Sequence, residues 1–194
     1  MRRLLVLLAA VALVAVLAVG LTQAGGGNAD GDEAAPFDLG RARERLAGAP
    51  GPLAALHAQS NELLGGGSAA FERRLRRLRG HPVVVNKWAS WCGPCRAEFP
   101  HFQLVATDRG KEVAFLGVDG SDKRPAARRF LDRQPLPFPS YEDPREAIAR
   151  SLKVPTIYPA TVLIDAGGRT AFIHQGQYTS AKQLSADIDR YLRP

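Results

Sequence analysis

With 194 residues, 45% of them hydrophobic and 23% charged, the chain has the composition of one globular domain with an additional segment, which excludes a disordered or collagen-like protein. Its net charge of +7 would suit an anionic partner. However, no zinc finger, RNA-binding aromatic motif or Gly-Lys-Ser loop accompanies the basic residues, so we expect no nucleic-acid binding. With only two cysteines, the chain is not a scaffold held together by several disulfides.

The N-terminus has the pattern of an export signal. Arg2 and Arg3 precede an uninterrupted apolar run at 4–21, and positive charge ahead of such a run favours a cytoplasmic N-terminus. The run is close to the ~20 residues that span a bilayer. We therefore predict an uncleaved signal-anchor at 1–24 in the cell membrane, with the remainder on the extracytoplasmic side. Cleavage after Ala24, which would release a secreted protein, is the alternative.

Two segments separate this run from the rest of the chain. Residues 25–36 are mainly Gly, Ala, Asp and Asn, which predicts a flexible tether. Residues 37–67 contain two weakly helical stretches, at 39–46 and 53–64, on either side of a Pro-Gly-Pro sequence. We expect them to form a helical preface that packs on the edge of a domain formed by 68–194.

From residue 68 onward, strand and helix patterns alternate. Ser68 is a candidate N-cap of an amphipathic helix, Asp143-Pro144 has the cap and first-turn proline of another, and Ser180 with Gln183 forms a capping box. The predicted elements are a helix at 68–79, a buried strand at 83–88, a helix at 92–109, a strand at 113–118, helices at 125–133 and from 143, strands at 161–164 and 170–174, and a final helix from 180. This order predicts an α/β sandwich with a mixed sheet.

The two cysteines lie three positions apart, at the predicted junction of a strand and a helix. Unpaired N–H groups and the helix dipole stabilise a thiolate at that position, so we expect Cys92 to be the exposed nucleophile. Cys95, one turn further on, would be the more buried resolving thiol, and Pro94 costs no hydrogen bond in the first turn. A zinc site would need a second Cys or His pair. A purely structural disulfide across so short a loop would remove little unfolded-state entropy.

The segment 83–100, VVVNKWASWCGPCRAEFP, resembles the TlpA/ResA-like branch of the thioredoxin superfamily. The resemblance covers roughly 68–194. It implies a thioredoxin-like three-layer sandwich with a mixed central sheet. Members of that branch are typically anchored by one N-terminal helix, in agreement with the apolar run. The family's insertion before its cis-proline matches 130–143.

A second matching segment is 158–165, YPATVLID, which is similar to the family's cis-proline segment. The resemblance makes Pro159 the expected cis-proline, with Pro155 as the rival. A cis bond at this position would place the backbone of Tyr158 beside the cysteines, where it could pair with an extended substrate segment. The predicted substrate-binding residues are Trp91, Gly93, Pro94, Tyr158 and Pro159.

One further residue is predicted to take part in the chemistry. Cytosolic thioredoxin commonly has a buried carboxylate where this chain has Asn86, whereas the TlpA-like branch has a glutamate at the position of Glu98. We hypothesise that Glu98, one turn after Cys95, is partly buried and accepts or relays the proton of that thiol. Lys87 is assigned no role.

These features predict a protein disulfide oxidoreductase that exchanges its own dithiol with disulfides of exported proteins and needs no bound cofactor. The Gly-Pro pair between the cysteines is that of reducing thioredoxins, which favours a reductase. The resemblance implies a role in cytochrome c maturation, with apocytochrome c as client and a membrane dithiol donor of the CcdA type. We expect a membrane-tethered monomer. The alternatives are a redoxin-type thiol peroxidase, which would need a threonine at Ala89, and a copper-binding assembly factor, which would want a Cys-x3-Cys spacing.

Overall fold

The structure is a computed structural model that describes residues 36–192. The predicted signal-anchor at 1–24 and all of the predicted tether except Pro36 therefore lie outside the described residues. Within residues 36–192 no helix is both long enough and apolar enough to cross a membrane.

The centre of the fold is a six-stranded mixed sheet. Its strands are β1 (Leu63–Leu64), β2 (Val83–Trp88), β3 (Ala114–Gly120), β4 (Ser140–Asp143), β5 (Ala160–Ile164) and β6 (Thr170–Gln175). Their order across the sheet is β1-β4-β3-β2-β5-β6. The first four strands in that order are parallel, whereas β5 and β6 are antiparallel to their neighbours. The predicted mixed sheet is confirmed.

Helices cover both faces of the sheet. They are α1 (Leu39–Leu46), α2 (Gly51–His57), α3 (Gly67–Arg77), α4 (Gly93–Arg109), α5 (Arg124–Arg133), α6 (Ala147–Ser151) and α7 (Ala181–Tyr191). Side chains alternate along β2: Val84 and Trp88 pack with α4, α5 and α7, whereas Val83 and Val85 pack with α2, α3 and α6. Two hydrophobic clusters, one on each face, make the thioredoxin-like three-layer sandwich that the resemblance implied.

The segment before residue 68 is helical, as predicted, but its second helix is shorter. The α2 helix ends at His57, whose carbonyl oxygen accepts a hydrogen bond from Ser60 Oγ. The following residues Leu63–Leu64 pair with β4 rather than continuing a helix to 64. The side chains of Arg45 and Asp108 join α1 to α4 at 2.6 Å. The division of the chain between 67 and 68 stays a prediction.

One of the two predicted serine caps is wrong. The α3 helix begins at Gly67, and its N-cap is Gly66 with φ of 92°, a left-handed conformation that favours glycine. Ser68 therefore lies inside the first turn and does not cap it. By contrast, Ser180 is the N-cap of α7, and its hydroxyl accepts a hydrogen bond from the backbone N–H of Gln183 at 3.2 Å.

The predicted helix start at Asp143 is also wrong. Asp143 is the last residue of β4, a strand that the sequence pattern did not indicate, and α6 begins only at Ala147. The reason is that β3 supplies the backbone partners of β4, so the chain stays extended through Asp143. The carboxylate still contacts the helix, because it accepts a hydrogen bond from the N–H of Ala149 at 2.9 Å.

Gly117 of β3 leaves room for a hydrogen bond between two neighbouring strands. Trp88 Nε1 donates to Ser140 Oγ at 3.1 Å, and a Cβ added at Gly117 would lie 2.8 Å from Nε1 and 2.9 Å from Ser140 Cβ. We expect Gly117→Ala to lower the free energy of unfolding by about 1–3 kcal/mol, because buried side chains must move to accept the methyl group. Urea unfolding measures this. Gly51→Ala is the control, because its added Cβ has no neighbour within 4 Å. Equal stabilities of the two variants would contradict the expected loss of stability in Gly117→Ala.

Candidate active site

The site lies where β2 leads into α4. Cys92 is the N-cap of α4, with extended backbone angles of −82° and 109°, and its Sγ accepts a hydrogen bond from the N–H of Cys95 at 3.1 Å. The two cysteines form a disulfide with their Cα atoms 5.3 Å apart. Pro94 lies in the first turn. The predicted helix start at the cysteines is confirmed, and on reduction the helix N-terminus stabilises the thiolate of Cys92.

The burial of the two cysteines follows the predicted order but not the predicted degree. Cys95 is fully buried, whereas Cys92 keeps 4% of its surface exposed. The expectation of an exposed Cys92 is therefore wrong: this residue belongs to the hydrophobic cluster beneath α4. Gly93 and Pro94 between the cysteines are exposed. Within the motif, the exposed surface is therefore formed by these two residues rather than by the cysteines.

Glu98 is completely buried, more than the sequence hypothesis required. Its Oε1 accepts a hydrogen bond from Asn86 Nδ2 at 2.7 Å, and its Oε2 accepts one from the backbone N–H of Tyr178 at 3.0 Å. Burial raises the pKa of the Glu98 carboxyl to about 7, against the lowering effect of these two hydrogen bonds. Because Glu98 follows Cys95 by one helical turn, a carboxyl that titrates near neutrality stands on the same side of α4 as the resolving thiol.

Only one of the two polar atoms of the Asn86 side-chain amide has a hydrogen-bond partner. Its Nδ2 donates to Glu98, whereas its Oδ1 is buried and has no hydrogen-bond partner within residues 36–192. A 180° rotation of the amide would exchange these two atoms and offer the acceptor to a protonated Glu98. The Asn86–Glu98 pair can therefore hold the glutamate in either protonation state.

The structure brings the predicted substrate-binding residues to the same edge of the sheet. The peptide bond between Tyr158 and Pro159 is cis, which confirms Pro159 as the cis-proline. The next residue, Ala160, pairs with Lys87 at the end of β2 that leads to the cysteines. The ring of Trp91 packs against the ring of Tyr158 with centroids 5.0 Å apart, and 57% of Trp91 is exposed.

Sequence reasoning missed a second buried carboxyl near the site. Asp119, the penultimate residue of β3, lies opposite Trp88 and is 2% exposed. Burial and the neighbouring carboxylates of Asp122 and Glu142 raise its pKa to about 8. Asp122 in turn accepts a hydrogen bond from the N–H of Ser90 at 2.6 Å. The available signal was an aspartate directly after a predicted apolar strand, at the edge where the carboxyl ends of parallel strands meet.

Lys87 was assigned no role, yet it is a buried cation beside the site. Its Nζ lies 2.8 Å from Glu146 Oε2, with both side chains largely buried. A lysine inside a strand that the sequence predicts to be buried was the signal for such a pair, since buried charges in proteins are paired.

The redox group of the site is the Cys92–Cys95 disulfide, which the chain itself supplies. Across residues 36–192 no group of three or more His, Cys, Asp or Glu side chains is placed to hold a metal ion.

Comparisons with known proteins agree with this geometry. The sequence model of the AhpC/TSA family matches residues 59–173. The chain is 31% identical over 122 residues to the thiol-disulfide oxidoreductase ResA of Geobacillus kaustophilus, covering 62% of this chain and 67% of that protein. It is 40% identical over 94 residues to the thiol:disulfide interchange protein DsbE homolog of Paracoccus denitrificans, covering 48% of this chain and half of that one.

A comparison with solved structures also finds a disulfide oxidoreductase. A secreted Mycobacterium tuberculosis disulfide oxidoreductase homologous to E. coli DsbE superposes with a TM-score of 0.54 at 27% identity, covering 59% of this chain and 85% of that one. The sequence and structure matches confirm the resemblance that the cysteine motif indicated.

Proposed function

Since the chain belongs to the thioredoxin-like AhpC/TSA family, we propose that this thiol-disulfide oxidoreductase works as a reductant of exported proteins. The observation that carries the proposal is the Cys92–Cys95 pair at the N-terminus of α4, beside the cis-proline edge of the sheet. A helix N-terminus lowers the pKa of a thiol, and the thiolate is the species that attacks a disulfide.

The proposed reaction transfers two electrons in two exchange steps. The Cys92 thiolate attacks one sulfur of the substrate disulfide, forms a mixed disulfide and releases the first substrate thiolate, which takes a proton from water. The Cys95 thiol then gives its proton to the Glu98 carboxylate, and the resulting thiolate attacks the sulfur of Cys92. The second substrate sulfur leaves as a thiolate, which takes a proton from water, and Glu98 returns its proton to water. The chain is left with the Cys92–Cys95 disulfide.

The proposed docking mode is strand addition. An extended substrate segment would lie along the backbone of Tyr158, next to Pro159, so that its disulfide meets Cys92. The exposed ring of Trp91 packs on Tyr158, and the exposed Ile157 precedes Tyr158 in the chain. This apolar surface, together with the exposed Gly93 and Pro94, favours a segment with an apolar side chain next to its cysteine.

The proposal also covers the cellular compartment, the client protein and the electron donor. The apolar run at 4–21 after two arginines supports a domain tethered on the extracytoplasmic side of the membrane. In that compartment apocytochrome c, whose haem-binding cysteines must be reduced, is the proposed client. A membrane dithiol donor of the CcdA type would return two electrons to the disulfide.

We expect the Cys92–Cys95 couple to have a reduction potential close to that of thioredoxin, about −270 mV. Equilibration of the protein with dithiothreitol redox buffers, followed by thiol alkylation and mass spectrometry, measures it. A value of about −120 mV, typical of the oxidant DsbA, would contradict the proposed direction of electron transfer. Turnover of hydrogen peroxide without reduction of any protein disulfide would instead support the thiol peroxidase alternative.

A further inference from the structure

Lys87 is a buried cation in β2, next to Trp88, the last residue of that strand. Its side chain is 3% exposed. The Nζ atom lies 2.8 Å from Glu146 Oε2 and donates hydrogen bonds to the carbonyl oxygens of Pro155 at 3.1 Å and Ile157 at 3.3 Å. These three acceptors match the three N–H donors of an ammonium group. The same atom also lies 3.9 Å from the centre of the Tyr158 ring.

All of these contacts except that with Glu146 are made to the loop that precedes the cis-proline, residues 155–158. A buried ion pair is weak evidence for a gain in stability, since an apolar side chain of the same volume avoids the cost of desolvating two charges. The contacts of Lys87 instead have a geometric effect. They tie two backbone carbonyls and one aromatic ring of the loop to the strand that leads to Cys92.

Glu146 extends the same network to Ser121 and Trp91. Its Oε1 accepts hydrogen bonds from Ser121 Oγ at 2.8 Å and from the Tyr158 hydroxyl. The carbonyl oxygen of Ser121 accepts the Nε1–H of Trp91 at 3.1 Å, and the Trp91 ring packs on Tyr158. The network therefore runs from Lys87 through Glu146 and Ser121 to Trp91, and it closes at Tyr158.

We propose that Lys87 and Glu146 are positioning residues that hold the loop 155–158 and Trp91 in the arrangement that receives a polypeptide substrate. They set the affinity for an extended segment with an apolar side chain beside its cysteine, and they do not touch the reacting sulfurs. This inference rests on the proposed reduction of polypeptide disulfides. The apolar preference follows from the two exposed side chains that the network places beside Tyr158, those of Trp91 and Ile157.

The first test is Lys87→Met, which keeps an unbranched side chain and removes the ammonium group. We expect the KM for a disulfide-bonded peptide with leucine beside its cysteine to rise about tenfold. The kcat, the reduction potential and the rate with a small aromatic disulfide, 5,5′-dithiobis(2-nitrobenzoate), should change by less than about twofold. An unchanged KM for the peptide, or an equal loss with the small disulfide, would overturn the inference. Lys111→Met removes an exposed lysine just beyond the other end of α4 and is the matched control.

A double variant separates positioning from stability. Lys87→Met alone leaves the Glu146 carboxylate buried without its cation, and adding Glu146→Gln removes that charge while keeping an acceptor for Tyr158 and Ser121. We expect the double variant to recover thermal stability but to keep the raised KM, because the bonds to Pro155 and Ile157 are still absent. Recovery of the KM together with stability would show a merely structural role and overturn the inference. If Lys87→Met alone does not fold, the double variant is measured in its place, and an unchanged KM in it overturns the inference, because it too lacks the bonds to Pro155 and Ile157.

Hydrogen exchange provides a readout that does not depend on turnover. The backbone amides of residues 156–158 should exchange at least about tenfold faster in Lys87→Met than in the wild type, with amides of α7 unchanged. Unchanged exchange in the loop overturns the positioning role even when the wild type reduces peptides. A wild type that exchanges slowly in this loop but reduces no polypeptide disulfide would overturn the proposed function instead.

Discussion

Cys92→Ser is expected to lower kcat/KM for a protein disulfide by about 10³-fold or more, because a hydroxyl is not ionised at neutral pH and cannot replace the attacking thiolate. Cys95 is fully buried one turn into α4, so it cannot take over the first attack. The measurement is the rate of insulin disulfide reduction with dithiothreitol as electron donor. The double variant Cys92→Ser/Cys95→Ser gives the background rate.

Cys95→Ser should behave differently from Cys92→Ser. Its remaining thiolate attacks the substrate, but no second thiol is present to release the product, so a mixed disulfide accumulates. Intact-mass analysis of the protein after mixing with a peptide disulfide detects the adduct. Formation of the adduct by Cys92→Ser rather than by Cys95→Ser would show that the assignment of nucleophile and resolving thiol is reversed.

Glu98→Gln is expected to slow resolution of the mixed disulfide by about 10²-fold at neutral pH, because the amide cannot accept the proton of Cys95. In the wild type the rate of this step should rise with pH through about 7, where the Glu98 carboxyl loses its proton, and then level off. Rapid-quench kinetics of the preformed mixed disulfide measure the step. A wild-type pH profile retained in Glu98→Gln would exclude the proton role. Glu112→Gln, at an exposed glutamate beyond the far end of α4, is the control.

The same substitution should change stability in a pH-dependent way. The pKa of Glu98 is raised from 4.5 to about 7 in the folded protein, so the folded state binds this proton more tightly than the unfolded state. Its contribution to stability is complete below pH 4.5 and is lost as the pH rises through about 7. The shift corresponds to about 3 kcal/mol, and the neutral amide introduced by Glu98→Gln has no such pH-dependent loss.

Glu98→Gln should therefore gain stability relative to the wild type between pH 4.5 and about 7, and the difference should then remain constant. Urea unfolding of the oxidised proteins measures it, since the disulfide leaves neither cysteine to titrate. Asp119, with its pKa raised to about 8, titrates in both proteins, and its contribution cancels in the difference. A difference that is independent of pH would contradict the raised pKa of Glu98.

The tertiary structure also shows the surroundings of two charged residues to which the sequence analysis assigned no role. Asp119 and Lys87 are ordinary charged residues in the sequence, one following and one inside an apolar strand. Their importance comes from neighbours that are distant in the chain: the carbonyl group of Pro155 that Lys87 binds is 68 residues away. A local pattern can indicate that a charge lies in or beside a buried strand, but it does not show which distant residues pack around that charge.

Local patterns were enough to predict the cysteine pair at a helix start and the mixed sheet with its terminal hairpin, and the family resemblance of 158–165 implied the cis-proline at Pro159. Each of these depends on residues that are close together in the chain. The strands Leu63–Leu64 and Ser140–Asp143 could be recognised only in the folded chain, because such short segments gain their hydrogen bonds from distant partners. The burial of Cys92, the raised pKa of Glu98 and the contacts by which Lys87 joins β2 to the loop 155–158 could likewise be recognised only in the folded chain. Burial and pairing of this kind arise from packing between elements, which no single stretch of sequence specifies.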